Sequence, residues 1–122
     1  MGASRLEALR RLGEGLAQAI RSFGKPTLLV ASSDMSHEEG SARVKKNDPV
    51  AIDRMLALDA DGLYGKVADL DITMCGFAPA TAVITAAKAL GATRAELLGY
   101  QTSLDHGGSE DYVVGYAGIV FE

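Results

Sequence analysis

Residues 27–37 read Thr27-Leu28-Leu29-Val30-Ala31-Ser32-Ser33-Asp34-Met35-Ser36-His37. The first five are nearly all apolar and follow a proline, which predicts a short buried strand over 27–31. The polar residues that come next would then lie at the carboxyl end of this strand, the edge at which open α/β sheets place their ligands. This stretch therefore predicts both a strand and a candidate site.

The chain before this stretch has the pattern of an amphipathic helix. Apolar residues recur there at steps of three and four, which is the helical period. They are Leu6, Leu9, Leu12, Leu16, Ile20 and Phe23. Gly24 and Pro26 predict the end of this helix, because glycine adopts the left-handed cap conformation and proline cannot continue a helix.

The chain after this stretch predicts a loop and then two short helices. Residues 32–47 are polar and show neither period, which is typical of a long loop. Asp48-Pro49 predicts a helix start, with Asp48 as the N-cap and the helix running to about Leu58. Asp59 or Asp61 then predicts the cap of the second helix. Its inward face would comprise Leu63, Tyr64, Val67 and Leu70.

The last third of the chain predicts one more helix and two strands. Residues 80–90 are rich in alanine, so this helix is expected to pack closely through small side chains. Residues 94–102 and 112–121 have the composition of strands. In the second of these, the odd and the even positions are both apolar, which favours a sheet covered on both faces by helices. The predicted fold class is α/β, in a single domain over residues 1–122.

Composition and charge argue against several classes of function. The 122 residues are 48% hydrophobic and 23% charged, typical of one globular domain. Twelve Lys and Arg against sixteen Asp and Glu give a net charge of −4, which argues against a nucleic-acid partner. The single cysteine cannot form an intrachain disulfide, and no apolar run reaches the roughly eighteen residues of a membrane span. No secretory signal is recognisable, so we expect a cytoplasmic protein with no membrane contact.

Asp34 and His37 form the first candidate site. Their spacing of three places both side chains on one face of a helical turn. A carboxylate beside an imidazole can fix its tautomer, raise its basicity and leave one nitrogen to take a proton or bind a metal. The competing interpretation is that Asp34 caps the turn and His37 is a solvated loop residue. Spacing alone leaves both open.

Cys75 is the second candidate. It precedes a predicted helix whose dipole would favour a thiolate, either as a nucleophile or as a soft metal ligand. The competing interpretation is a small buried apolar side chain. A nucleophile would need a base, for which His37 is the candidate, whereas His106 is expected in a solvated turn. The sequence contains no dinucleotide fingerprint, phosphate loop or zinc-spaced Cys and His pairs.

Taken together, four segments carry a family resemblance. They are 32–37 (Ser-Ser-Asp-Met-Ser-His), 75–79 (Cys-Gly-Phe-Ala-Pro), 100–105 (Tyr-Gln-Thr-Ser-Leu-Asp) and 113–117 (Val-Val-Gly-Tyr-Ala). In this order they resemble the C-terminal part of the Memo-like family, also called AmmeMemoRadiSam system protein B.

The resemblance implies a fold similar to that of class III extradiol dioxygenases, which hold iron(II) between two histidines and a carboxylate. It implies a three-layer α/β/α arrangement with a mixed, mostly buried sheet, of which this chain would be an incomplete half. By this resemblance Cys75 occupies the position of the third metal ligand, His37 that of an acid–base residue, and Asp34 lies beside it. The two histidine ligands belong to the N-terminal half of the family, which this sequence does not match.

The resemblance also implies a cofactor and partners. A thiolate ligand moves the metal preference toward softer ions, so iron(II) or copper is expected in an assembled protein and none on the isolated chain. An uncovered sheet edge predicts a homo-oligomer or a separately encoded N-terminal half as partner.

Three hypotheses about function result. The first is a metal-dependent, dioxygenase-like redox site, and the second is a non-catalytic module that binds a peptide or small ligand. The third is a folded but inactive product.

Overall fold

Four helices and three strands make up residues 3–122, the part of the chain that the computed structural model describes. The helices are α1 (Ala3–Phe23), α2 (Ser41–Leu56), α3 (Ala60–Asp69) and α4 (Phe77–Ala89). The strands are β1 (His37–Glu38), β2 (Ala95–Thr102) and β3 (Val113–Phe121), with a 3-10 turn at Ser103–His106. The helix predicted over 80–90 and the last two predicted strands lie close to these bounds. None of these helices has the length and apolarity needed to cross a bilayer.

The three strands form one sheet in the order β1-β3-β2. Both pairings are antiparallel, with His37 opposite Val114 and Tyr100 opposite Ala117. The α/β class is therefore confirmed. The sheet is antiparallel throughout residues 3–122, whereas the resemblance implied a mixed one, and one of the predicted strands is absent from it.

That strand was predicted over 27–31. The segment has no ladder partner among residues 3–122, and Leu28 and Val30 are 84% and 72% exposed. The chain joins β3 only further on, where the Met35 N–H donates to the Gly115 carbonyl at 2.8 Å. Apolar composition alone does not make a strand, since each backbone group also needs a neighbour to bond to.

One face of β3 packs on the core and the other is open. Ala117, Ile119 and Phe121 pack against the buried cluster, whereas Tyr116 and Val120 remain 41% and 36% exposed. The prediction that helices cover the sheet on both faces is thus wrong for residues 3–122. The largest fully buried apolar side chains of the core are Val44, Leu63, Ile84 and Val113.

Helix α2 begins earlier than predicted. Gly40 turns the chain with a φ of 113°, and the Ser41 N–H donates to the Glu110 carboxylate, so the helix starts inside the expected loop. Its buried positions include Val44, Asn47 and Asp48. Two of these three are polar, so the sequence does not show the apolar pattern of a helix in this region.

The prediction that Asp48 is an N-cap is also wrong. Asp48 and Pro49 lie within α2, and Asp48 is fully buried. Pro49 has no N–H, so one hydrogen bond of the helix is missing at this position. The side chain of Asp48 does not cap α2. Its partners are in the sheet and in the segment before β1.

Two other helix ends agree with the sequence. Helix α1 ends before Gly24, whose φ is 70°. Asp59 caps α3 by accepting a hydrogen bond from the Gly62 N–H at 2.8 Å. A Cβ at position 62 would collide with this carboxylate, so the cap requires glycine there.

Helices α1 and α4 pack closely at Gly13. An added Cβ at this position would lie 2.6 Å from the Ala82 carbonyl oxygen and 2.7 Å from Thr85 Cβ. Gly15, two residues further along the same helix, would meet nothing within 4 Å.

We expect Gly13→Ala and Gly15→Ala to change stability in opposite directions. Gly15→Ala should raise the free energy of unfolding by about 0.5–1 kcal/mol, because alanine is the better helix former. Gly13→Ala should lower it by about 1–3 kcal/mol, since the methyl group overpacks the contact with α4. Urea unfolding of the two variants measures this, and equal effects would contradict the observed packing of α1 on α4.

Candidate functional site

The three predicted site residues converge. Ligand atoms of Asp34, His37 and Cys75 all lie within 4.8 Å of one another. Asp34 and His37 lie at the two ends of the short turn that leads into β1, of which His37 is the first residue, and Cys75 lies two residues before α4. The site therefore joins two segments about forty positions apart in sequence.

Hydrogen bonds to Thr73 fix the orientation of His37. The ring Nδ1 lies 3.0 Å from the Thr73 carbonyl oxygen, and the His37 backbone N–H donates to Thr73 Oγ1 at 2.8 Å. A carbonyl oxygen only accepts hydrogen bonds, so Nδ1 carries the proton in this contact. In a neutral ring, Nε2 is then unprotonated, and its lone pair can bind a metal ion or accept a proton.

This nitrogen faces a carboxylate. The distance from His37 Nε2 to Asp34 Oδ2 is 3.3 Å, and Cys75 Sγ lies in the same cluster. A lone pair and an ionised carboxylate repel each other unless a proton or a cation lies between them. Carboxylate, imidazole and thiolate are all metal-ligating groups, so the donor set fits a transition-metal ion.

Ser33 connects the two halves of the site. Its hydroxyl accepts a hydrogen bond from the Gly76 N–H at 2.8 Å and donates to the Asp34 carbonyl at 2.7 Å. The same Oγ lies 3.8 Å from Cys75 Sγ. A side chain at Gly76 would come within 2.8 Å of the Ser32 carbonyl, so glycine permits this close approach.

The site is open to solvent on one side. The side chains of Asp34 and His37 are 49% and 22% exposed, and Cys75 is exposed. This argues against the interpretation of Cys75 as a buried apolar side chain. The ring of Tyr112 stacks on His37 with centroids 6.4 Å apart. A small ligand or an ion can therefore reach the donor atoms directly.

Asp48 supports the turn that carries Asp34 and His37. One oxygen of its buried carboxyl group accepts the Ser36 N–H at 2.8 Å, and the other accepts the Tyr100 hydroxyl at 2.5 Å. Tyr100 is 36% exposed as a whole, and its hydrogen bond to Asp48 is partly buried. Burial, reinforced by the hydrogen bond to Asp48, raises the pKa of Tyr100 above its ordinary value.

Glycine at position 115 makes this contact possible. A Cβ there would collide with Asp48 Oδ2 and lie 3.0 Å from the Tyr100 hydroxyl. The Gly115 N–H also donates to the Ser36 carbonyl at 3.0 Å. Ser36 is thus held by α2 and by β3 together.

An apolar cavity of about 570 Å³ borders the site. Ser33, Met35 and Met74, next to the donor residues in sequence, form part of its wall. The rest comes largely from three regions, namely 27–31, α4 and β3.

Sequence reasoning found the three clustered residues and missed two that support them. His106 lies apart and contacts Gln101, as expected for an exposed turn residue. Thr73 stands in no recognisable motif, and its role depends on a carbonyl group that every residue has. Asp48 was hidden by the neighbouring proline, which gave it the signature of a helix cap.

Comparison with known proteins gives one consistent result. The family model described as Memo-like protein matches residues 1–120. A MEMO1 family protein of Methanosarcina mazei is 41% identical over 122 residues, which is 100% of this chain and 46% of the relative. Another from Methanopyrus kandleri is 40% identical over 116 residues, covering 95% of this chain and 41% of the relative.

The chain thus spans less than half the length of these relatives. The match nevertheless extends over almost the whole chain and includes the segments of Asp34, His37 and Cys75. On this similarity, the chain belongs to the Memo-like family.

Proposed function

We propose that this chain carries a metal-dependent redox site in which Asp34, His37 and Cys75 together hold iron or copper. This differs from the expectation for Cys75 as a single ligand, because three clustered donor groups would let the isolated chain bind the ion. The observation that supports it is the fixed imidazole. With Nδ1 committed to the Thr73 carbonyl, Nε2 points a donor atom at the Asp34 carboxylate, 3.3 Å away. Either a proton or a metal ion can lie between these two groups, and we propose the metal ion because the thiol of Cys75 belongs to the same cluster.

The donor set supports the choice of metal. A thiolate favours softer ions such as copper(I), an imidazole suits copper and iron, and a carboxylate suits harder ions. When bound, such an ion would supply one-electron chemistry at the open face of the site. The single exposed thiol of Cys75 must stay reduced for this, so we place the protein in a reducing compartment such as the cytoplasm.

The protein's own residues have separate tasks in this proposal. Thr73 holds the imidazole tautomer, and Ser33 keeps Cys75 next to the turn that bears Asp34. Three protein donors leave further coordination positions open, either for substrate or for residues from the part of the longer relatives that this chain does not match. When no ion is bound, His37 Nε2 is available to accept a proton from a ligand.

We expect removal of any one donor to weaken metal binding. Anaerobic titration of the purified chain with iron(II) or copper(I) measures the affinity of wild type, Asp34→Asn, His37→Ala and Cys75→Ser. Each substitution should cost roughly 100-fold or more, exceeding the ~10–100-fold typical of residues that only orient ligands. Binding should also weaken at lower pH, because protons compete for the same donor atoms.

His106→Ala is the matched control, since it removes the other histidine without touching the cluster. Metal binding that survives Cys75→Ser unchanged would contradict the proposal. Binding that survives only His37→Ala would return His37 to an acid–base role with Cys75 on the metal.

A second function is favoured by the cavity. Its volume of about 570 Å³ is within the range of small-molecule sites, which are mostly apolar with a few polar groups at one end. Asp34, His37 and Cys75 do not line this cavity, but their neighbours Ser33, Met35 and Met74 do, so a ligand in the cavity would reach the cluster with its polar end. The chain would then be a non-catalytic module that binds a small ligand or the apolar end of a peptide.

A thermal-shift screen of small apolar acids and amines tests this second function. A ligand that stabilises wild type should lose its effect in Ala87→Phe, which fills the cavity, and in His37→Ala. Ala68→Phe, on the exposed side of α3, should bind normally. Binding that is indifferent to both site variants would exclude the cavity as the ligand site.

We further propose that another polypeptide covers residues 27–31. Leu28 and Val30 are largely exposed on a segment without a strand partner among residues 3–122. The fitting occupant is a polypeptide equivalent to the part of the longer relatives outside the match, and without it copies of the chain should associate through the same apolar edge.

Sedimentation of the isolated chain checks this. Wild type should self-associate, and Leu28→Ser combined with Val30→Ser should shift the chain toward monomer. A stable wild-type monomer that binds no apolar dye would count against the proposal.

A further inference from the structure

The strongest unexplained feature outside the donor cluster is a buried acidic group. Asp48 is fully buried in the middle of α2, a place where a carboxyl group is costly unless it is hydrogen-bonded. Both of its oxygens have partners, the Ser36 N–H and the Tyr100 hydroxyl. Neither partner belongs to α2, so the hydrogen bonds of Asp48 join α2 to other parts of the structure and do not stabilise α2 alone.

These contacts meet at the backbone that presents the site. Ser36 lies between Asp34 and His37, and its N–H is held by Asp48 while its carbonyl is held by Gly115. Met35 is held in turn, because its N–H donates to the Gly115 carbonyl at 2.8 Å. The bonded backbone groups of Met35 and Ser36 are therefore held from α2 and β3, whereas the His37 N–H and the Asp34 carbonyl bond to Thr73 and Ser33 on the side of Cys75.

We infer that Asp48 is the positioning residue of the site: its buried carboxyl group locks the Ser36 backbone and so aims Asp34 and His37 at Cys75. The inference rests on the proposed metal site for its functional meaning and on the hydrogen bonds of residues 35–37 for its geometry. Tyr100 has a supporting role, since its hydroxyl holds the second oxygen of Asp48.

The segment of Cys75 makes no hydrogen bond with α2 among the described residues. Ser33 fastens it through the Gly76 N–H, and Thr73 fastens it to His37. Loss of Asp48 should therefore free the Ser36 backbone, while the contacts of Ser33 and Thr73 keep Cys75 beside the site. The Ser36 backbone and Cys75 should therefore respond differently to the loss of Asp48, and this difference can be measured.

The test compares Asp48→Ala, Asp48→Asn and Tyr100→Phe with Ile52→Val, which alters buried packing on the same helix but removes no hydrogen bond. In Asp48→Ala we expect cobalt(II) affinity to fall by roughly 10–100-fold, while the thiolate charge-transfer band from Cys75 persists at saturation. Asp48→Asn should recover part of the affinity, because its amide oxygen can still accept the Ser36 N–H. Tyr100→Phe should show a smaller loss, and Ile52→Val none.

A second readout needs no metal. Amide hydrogen exchange at Ser36 and His37 should accelerate about tenfold in Asp48→Ala, as expected when one buried hydrogen bond is lost, and should not change in Ile52→Val. Unchanged exchange at these amides in Asp48→Ala would overturn the inference. If that variant does not fold, the same comparison in Asp48→Asn and Tyr100→Phe decides it.

The two readouts separate the two proposals. If wild type binds no cobalt but exchange at Ser36 and His37 responds to Asp48, the metal site is wrong and the positioning role stands. If cobalt binds with equal affinity in wild type and in folded Asp48→Ala, the positioning role is wrong and the metal site stands.

Discussion

A buried carboxyl group on α2 holds together the parts of the structure that matter for the site. Asp48 accepts hydrogen bonds from the backbone of Ser36 and from the side chain of Tyr100 on β2, and Gly115 on β3 leaves room for both contacts. One group thus joins a helix, two strands and the turn before β1. Because an unpaired buried carboxyl group is costly, these contacts form together, and the turn between Asp34 and His37 takes up a defined place on the sheet.

The position of that turn decides the electrostatics of the site. The Thr73 carbonyl accepts a hydrogen bond from His37 Nδ1–H, which leaves Nε2 directed at Asp34, and Ser33 brings Cys75 to the same point. The hydrogen bonds made by Thr73 and Ser33 are each modest, but they act together on the two short segments that carry the three side chains. Three metal-ligating side chains meet there on an open face, beside an apolar cavity. This combination is the basis of the proposed metal site.

The sequence predicted local features well and long-range ones poorly. Helix α1, the Asp59 cap and the last two strands follow from periodicity and from capping residues, which depend on near neighbours in the chain. The strand predicted over residues 27–31 is not formed, because a strand needs a partner and none is present among residues 3–122. Helix α2 was predicted, but its start was placed too late because Asn47 and Asp48, both polar, lie on its buried face. For the site, the ordered motifs led to Asp34, His37 and Cys75, whereas Thr73 acts through a carbonyl and Asp48 through contacts with distant strands, neither of which leaves a local pattern.

The most direct test of the central claim is X-ray absorption spectroscopy of the chain loaded with zinc, used as a redox-inert probe. If Asp34, His37 and Cys75 share one ion, the spectrum should show one sulfur at about 2.3 Å together with nitrogen and oxygen neighbours at about 2.0–2.2 Å. The sulfur shell should disappear in Cys75→Ser. A wild-type spectrum containing only nitrogen and oxygen neighbours would show that the thiol and the imidazole do not act on a common ion.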